Sequence, residues 1–344
     1  MTTGSGTPTR PSAGPQRAGT PPVAPPGAAA NWALHRFSLL VAVCTGILVF
    51  AGGLVKSLEA GLSVPDWPLS YGQVMPPMVG NIRFEHGHRM IATAVGMLTI
   101  ILAVWLARRE SRPWVRKLGW AALGAVVLQG VLGGITVLLF LPAPVSVAHG
   151  TLAQTYFCIV VAIALFTSPG WQAPVAPREE HGGPSLRTLA LVTTGAVYVQ
   201  LILGATMRHL EAGLAIPDWP LAFGRLVPPF DAPGVGIHFA HRIGSLVVAA
   251  CAAYTVGRVL ARHRAQPALV APAVVLATLV VTQFVLGATT VWSGKAIVPT
   301  TLHVLNGALV LVTSLVLTLR SFKFVVPEHR ALAYRPLSTE RVAT

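Results

Sequence analysis

The chain has 344 residues, of which 53% are hydrophobic and only 10% are charged. An ordinary soluble domain carries roughly 25% charged residues, so this composition excludes that class and indicates a protein embedded in lipid. The formal net charge of +14 would suggest a nucleic-acid partner for a soluble protein, but here the basic residues cluster between apolar stretches, as topology signals do. We therefore expect membrane lipid, and no nucleic acid, as the chain's partner.

Residues 1–31 are rich in Pro, Gly, Ala and Thr, which predicts a disordered cytoplasmic tail. Eight apolar stretches follow, and each approaches or exceeds the roughly 20 residues that a helix needs to cross the hydrocarbon layer. They cover residues 38–56, 85–107, 117–140, 146–167, 187–207, 237–260, 268–291 and 299–320. The predicted fold class is an all-α polytopic membrane protein with eight transmembrane helices.

One segment of the sequence occurs twice, at residues 57–89 and 209–242, and both copies contain the letters PDWPL. Matching side chains recur at a spacing of 152 to 154 residues: Glu59/Glu211, Asp66/Asp218, His88/His241, Gln129/Gln283 and His149/His303. A repeat of this length is too long for a solenoid module, so it predicts two fused, pseudosymmetric four-helix bundles.

The spans and the repeat together divide the chain into five segments. We predict a disordered tail at 1–31, an N-terminal four-helix bundle at 32–168, a cytoplasmic linker at 169–186, a C-terminal four-helix bundle at 187–322 and a second tail at 323–344. The three cysteines fall within apolar spans, where a free thiol behaves as a small hydrophobic side chain: Cys44, Cys158 and Cys251.

Arginine and lysine are concentrated in alternate loops. The richer set lies after spans two, six and eight: Arg108, Arg109, Arg112, Arg116, Lys117, Arg258, Arg262, Arg264, Arg320, Lys323 and Arg330. The opposite side has fewer, mainly Lys56, Arg83, Arg208, Arg225 and Lys295. By the positive-inside rule, both termini are predicted to be cytoplasmic and both repeated loops to lie outside the cell membrane.

Four histidines are predicted to lie at one depth in the membrane: His88, His149, His241 and His303. At 1.5 Å per residue, their imidazoles lie roughly 5–8 Å below the outer helix ends. Two helices that enter from the same side can present two imidazoles across one gap, which suits a haem iron ligated from both faces. The alternative for each histidine is a polar helix residue that only faces its neighbours.

Arg89 and Arg242 directly follow the first histidine of each pair. Each guanidinium could bind a haem propionate bidentately, or extend to water at the membrane surface. The halves differ where Glu85 in one repeat corresponds to His238 in the other. Positions i and i+3 share a helix face, so Glu85 is expected to face the same cavity as His88 and could relay protons there. A helix-start carboxylate stabilised by the helix dipole is the alternative.

Two further groups of residues are interpreted as structural. Three glutamines inside the odd-numbered spans are predicted to be interhelical hydrogen-bonding residues: Gln129, Gln200 and Gln283. The two outer loops are predicted to be rigid lids over a cavity, with structural roles for their acidic residues: Glu59, Asp66, Glu211 and Asp218.

The combined motifs resemble the haem A synthase family. The matching features are the GLSVPDWPL and GLAIPDWPL loops, the ExxHR run at 85–89 followed by His149, and the HxxHR run at 238–242 followed by His303. The resemblance covers residues 36–320. It implies an eight-helix protein of two four-helix bundles that oxidises the C8 methyl of haem O to a formyl group, giving haem A for terminal oxidases.

The resemblance also implies residue roles. His88 and His149 match the ligands of the substrate haem, and Glu85 matches the catalytic carboxylate. His241 and His303 match the axial ligands of a haem b cofactor in the second half. We further expect haem O synthase and an electron donor as partners, and a homo-oligomer.

The sequence departs from many bacterial relatives in the outer loops. Those relatives carry a cysteine pair around the first PDWPL segment, where this chain has Val64 and Ser70; the second repeat has Ile216 and Ala222. The chain therefore resembles the cysteine-free members of the family.

Two other functions would use the same histidines. One is a two-haem b-type membrane cytochrome that only transfers electrons and needs no Glu85. The other is a haem carrier that inserts haem into an oxidase and releases no altered product.

The charge distribution yields a test of membrane orientation. Reporter fusions at residues 112 and 262 should be cytoplasmic, and fusions at 72 and 224 should be outside, because the basic loops stay on the inner side. Alkaline phosphatase and green fluorescent protein activities measure the two sides. The opposite pattern would overturn the expected position of both outer loops.

Overall fold

The computed structural model describes residues 1–2 and 31–327. Most of the predicted first tail and residues 328–344 of the second lie outside the described residues. Within the described part, eight helices are long and apolar enough to cross a membrane, which confirms the all-α polytopic membrane fold. They are α1 Trp32–Ser57, α2 Ile82–Arg109, α3 Pro113–Leu138, α4 Ala143–Thr167, α6 Leu186–His209, α7 Val235–Arg262, α8 Pro267–Trp292 and α9 Ile297–Phe324.

Polar N-cap residues and prolines set where several helices begin, and the length of an apolar stretch does not reveal them. The Asn31 side chain accepts a hydrogen bond from the Leu34 amide at 3.0 Å, so α1 begins six residues before the predicted span. Ser185 caps α6 in the same way. Pro113 and Pro267 occupy the first positions of α3 and α8, where the missing N–H is not needed.

The long helices form two sets of four. In the first set, α1 and α3 each contact α2 and α4; in the second, α6 and α8 each contact α7 and α9. Contacts of α1 with α9 and of α4 with both α6 and α9 join the sets. Each set encloses an apolar core, while many large apolar side chains stay exposed on the outer faces, as expected for a lipid-facing surface. The pseudosymmetry of the two sets stays a prediction from the repeat.

Polar contacts join the two sets at the helix ends that carry the repeated loops. Arg208 on α6 donates to the Gly53 carbonyl at 3.0 Å and to the Ser57 hydroxyl at 2.9 Å on α1. Lys56 forms an ion pair with Glu211, and this contact lowers the pKa of the Glu211 carboxyl below its ordinary value. These contacts hold the end of α1 against α6 and the start of the second loop.

The predicted linker at 169–186 contains regular secondary structure. It contains a short helix, α5 (Pro169–Gln172), and a strand, β1 (Arg178–Glu180), which pairs in parallel with β2 (Val325–Pro327) after α9. The predicted boundary at residue 322 thus falls inside α9. Short paired strands of this kind depend on contacts between residues far apart in the chain, so a local sequence pattern does not reveal them.

The buried carboxylate of Glu180 holds the linker against the second helix set. It accepts hydrogen bonds from the Leu186 amide at 2.7 Å and from the Arg258 guanidinium at 3.1 Å, and His263 lies 3.5 Å away. Glu180 and Arg258 are both buried. Removing one partner of such a pair leaves a buried charge uncompensated, which typically costs about 3–5 kcal/mol.

This arrangement predicts that Glu180→Ala lowers the thermal stability of the detergent-purified protein. Glu179→Ala is the matched control, because the neighbouring Glu179 side chain is 59% exposed. Fluorescence-detected size-exclusion chromatography after heating measures both variants. Equal melting temperatures for Glu180→Ala and the wild type would contradict a stabilising role for the buried pair.

Candidate functional site

The four predicted ligand histidines occupy equivalent positions in four helices. His88, His149, His241 and His303 are each the seventh residue of α2, α4, α7 and α9, respectively. Six residues of rise place each one roughly 9 Å from the start of its helix, slightly deeper than the sequence predicts. The equal depth follows from helix starts that lie six residues before each histidine in both halves.

A glycine on the neighbouring helix faces each imidazole. A Cβ added at Gly204 on α6 would lie 2.9 Å from Cε1 of His241, and one at Gly287 on α8 would lie 3.2 Å from Cε1 of His303. The first half repeats this arrangement: the corresponding distances are 3.1 Å for the pairs Gly52/His88 and Gly133/His149. Real Cβ atoms rarely come this close to another atom. The glycines therefore allow the helix backbone to approach each ring.

Three of the histidines also contact a glutamine amide from the neighbouring helix. Nε2 of Gln283 lies 3.2 Å from Nε2 of His303 and donates to its carbonyl at 3.0 Å; Gln129 makes the same contacts with His149. Nε2 of Gln200 lies 3.0 Å from Nδ1 of His241. The prediction that these glutamines join helices is confirmed, and their partners are the candidate ligands.

The second pair has a separation that suits one haem iron. The ring centroids of His241 and His303 are 6.4 Å apart. With metal–nitrogen bonds of about 2 Å, two imidazoles on opposite faces of an iron have centroids roughly 6 Å apart. The Nδ1 atoms of His88, His149 and His303 are buried and have no hydrogen-bond partner among the described residues. Buried polar atoms of this kind need a partner, and a haem group would meet the need of each site.

Arg89 fastens the first outer loop to α2. Its guanidinium donates to the backbone carbonyls of Asp66 at 2.7 Å, Leu69 at 3.0 Å and Val64 at 3.1 Å. In the second half, Arg242 donates to the carbonyls of Leu221, Ile216 and Asp218 at 2.7–3.1 Å. Loop fastening, rather than extension to water, is the contact that the structure shows for both residues. Propionate binding by Arg89 and Arg242 stays a prediction.

Glu85 contacts both the first loop and Arg89. One carboxylate oxygen accepts the Val64 amide at 2.8 Å, and the other accepts from Arg89 at 2.6 Å. His238 performs the same task in the second half, where Nδ1 lies 3.2 Å from the Ile216 amide nitrogen. The i, i+3 spacing predicts which face of the helix a residue occupies, but it does not predict the residue's hydrogen-bond partner. That Glu85 also faces the cavity of His88 stays a prediction.

The acidic residues Asp66 and Asp218 stabilise the tips of the two loops. The Asp66 carboxylate accepts the backbone amides of Tyr71 at 2.7 Å and Gly72 at 2.8 Å. These amides, chiefly that of Gly72, lower the pKa of the Asp66 carboxyl below its ordinary value. Asp218 makes the equivalent bonds to the amides of residues 223 and 224. Their predicted structural role is thus confirmed.

The first loop also contacts α3, the helix whose Gly133 faces His149. The Trp67 indole lies directly on Gly134, which is adjacent to Gly133 on α3; a Cβ at Gly134 would lie 2.5 Å from the ring. His86 lies beneath the same loop, with Nδ1 2.8 Å from the Ser70 hydroxyl. The first loop therefore covers the outer end of the first helix set closely.

Comparisons with known proteins agree with this architecture. The sequence matches the family described as cytochrome oxidase assembly protein (COX15-CtaA) over residues 35–86 and 81–316. The chain belongs to this family. It is similar to the haem A synthase of Symbiobacterium thermophilum, with 35% identity over 62% of this chain and 71% of that protein. It is also similar to the haem A synthases of Sphingopyxis alaskensis (31% identity; 83% and 90% of the two chains) and Alkalihalophilus pseudofirmus (27%; 79% and 92%).

Sequence reasoning missed the glycines and the specific partner of the glutamines. A signal was present, because Gly133 and Gln129 recur as Gly287 and Gln283 at the same offset of 154 as the second histidine of each pair. A residue that repeats together with a candidate ligand is itself a candidate contact of that ligand.

Proposed function

We propose that this chain is a haem A synthase, an oxidoreductase that converts the C8 methyl of haem O to the formyl group of haem A. The substrate haem occupies the first helix set, between His88 and His149. A haem b cofactor occupies the second set, between His241 and His303. Family membership and the two pairs of half-buried histidines at matching helix positions support this proposal together.

The observation that carries the assignment of roles is the difference between Glu85 and His238. The two halves share the depth of their histidines, the facing glycines and the fastened loops, yet only the first half has a carboxylate at this place. Conversion of a methyl to a formyl group removes hydrogen from carbon, so protons must leave the substrate. A fixed carboxylate beside the site can accept and pass on such protons.

The chain's own residues prepare this proton transfer. Arg89 and the Val64 amide hold both oxygens of Glu85, so little orientational freedom remains to be lost. The covering first loop keeps bulk water away from the site. Bound haem would supply the redox chemistry, either with oxygen or with water as the source of the formyl oxygen.

The cellular setting follows from the same proposal. The protein lies in the inner cell membrane with both termini in the cytoplasm, as the distribution of basic residues predicts. Haem O synthase supplies the substrate, and a separate electron donor and a homo-oligomeric state complete the proposed assembly.

Extraction of pigments after co-expression with a source of haem O tests the activity. Mass analysis should detect haem A in cells that contain this chain and only haem O in cells that lack it. Unaltered haem O would instead favour the electron-transfer cytochrome or the haem carrier. Tight retention of two haems would then indicate the cytochrome, and reversible loading the carrier.

The proposed cofactor site predicts the effect of removing either ligand of the second pair. His241→Ala or His303→Ala should abolish most of the low-spin haem b absorbance of the purified protein, because one axial ligand is lost. His181→Ala, on the exposed linker, is the control and should leave the spectrum intact. A normal low-spin spectrum in both site variants would refute the cofactor assignment.

Glu85→His and Glu85→Gln separate catalysis from loop fastening. Both replacements retain an acceptor for the Val64 amide, and histidine reproduces the arrangement of the second half. If the carboxylate moves protons, both variants should fold and bind haem b, while haem A formation falls about 10²–10⁴-fold. Near-normal haem A output from Glu85→His would show that the residue only fastens the loop.

A further inference from the structure

One of the four candidate ligands lacks the glutamine contact of the other three. Gly52 corresponds to Gly204, so the position that matches Gln200 is Leu48. Among the described residues, no glutamine amide contacts a ring nitrogen of His88, whereas each of the other three rings has such a contact. His88 thus has the facing glycine, but not the amide that contacts its counterpart His241.

A second position, next to the first in space, also differs between the two halves. Gly244 on α7 lies against the Gln200 amide, and a Cβ added at Gly244 would collide with the carbonyl oxygen of that amide. The position that matches Gly244 in the first half is Ile91. Leu48 and Ile91 both pack against the apolar core of the first helix set. The first half therefore has an apolar pair where the second has an amide seated on a glycine.

This exchange affects how firmly an imidazole is held. A hydrogen-bonded partner on the far side of a ligating histidine fixes the ring orientation, and loss of such a partner typically costs about 10–100-fold in metal affinity. His149 on the opposite side of the same gap keeps its amide partner, Gln129. The two ligands of the first pair are therefore unequal, whereas both ligands of the second pair have an amide.

We infer that His88 is the exchangeable haem-iron ligand, and that the Leu48/Ile91 pair keeps it so. This inference rests on the proposed function for the identity of the ligand, a haem. With haem bound, His88 would release the iron more readily than His149, which would leave a coordination position for a small ligand or allow haem exchange. Glu85 lies one turn before His88 on α2.

Carbon monoxide binding tests this inference on the purified full-length chain. The protein is saturated with haem b as the probe and reduced, and the carbon monoxide difference spectrum and the rate of haem transfer to excess apomyoglobin are recorded. The wild type should contain one carbon monoxide-reactive and one unreactive haem. In Leu48→Gln/Ile91→Gly the reactive fraction should disappear, and transfer of that haem should slow about 10–100-fold. Ile91→Gly alone is the control and should keep the reactive fraction.

The reciprocal change, Gln200→Leu/Gly244→Ile, should make the second haem reactive as well. If the double variants fail to accumulate, Gln200→Leu alone carries the same test, because it only removes the amide. Unchanged carbon monoxide reactivity in the folded variants would overturn the inference. Absence of haem A from wild-type cells, with the two classes of haem still present, would instead refute the proposed function and leave the ligand inequality intact.

Discussion

Close approach of helix backbones is the constraint on which both candidate sites depend. An imidazole is too large to lie between two packed helices unless the neighbouring helix has no side chain at that level. The glycines at 52, 133, 204 and 287 meet this requirement, one for each histidine. The close approach also brings amide groups within reach of three of the rings. The hydrocarbon interior offers no water, so a polar ring there needs a partner from the protein.

The two repeated loops are held to the helices by a matching set of hydrogen bonds. Arg89 and Arg242 each bind three loop carbonyls, and Asp66 and Asp218 each bind two amides at the loop tip. These contacts recur at matching positions of the two loops. Against these shared contacts, two differences lie next to the candidate ligands. Glu85 stands where the second half has His238, and Leu48 and Ile91 stand where it has Gln200 and Gly244. Function is expected to reside in such differences, because packing alone does not require them.

The sequence predicts the eight helices and the equal depth of the histidines because apolar length and repeat offsets directly encode both. It does not predict the parallel strands that join the linker to the end of α9, since they depend on residues far apart in the chain. It also does not predict the partner of Glu85. Helical spacing places Glu85 near His88, but the loop that returns over α2 supplies the Val64 amide, and that return depends on tertiary structure. The glutamines illustrate the same limit, because composition identifies them as interhelical groups while only the packed helices show that they contact histidines.

The positions of the iron atoms in the haem-loaded, full-length protein test the central claim most directly. A cryo-electron microscopy map of that complex would locate them. The account predicts two irons per chain, one between His88 and His149 and the other between His241 and His303, at a common depth below the outer loops. A single iron, or an iron ligated by residues outside these two pairs, would contradict it.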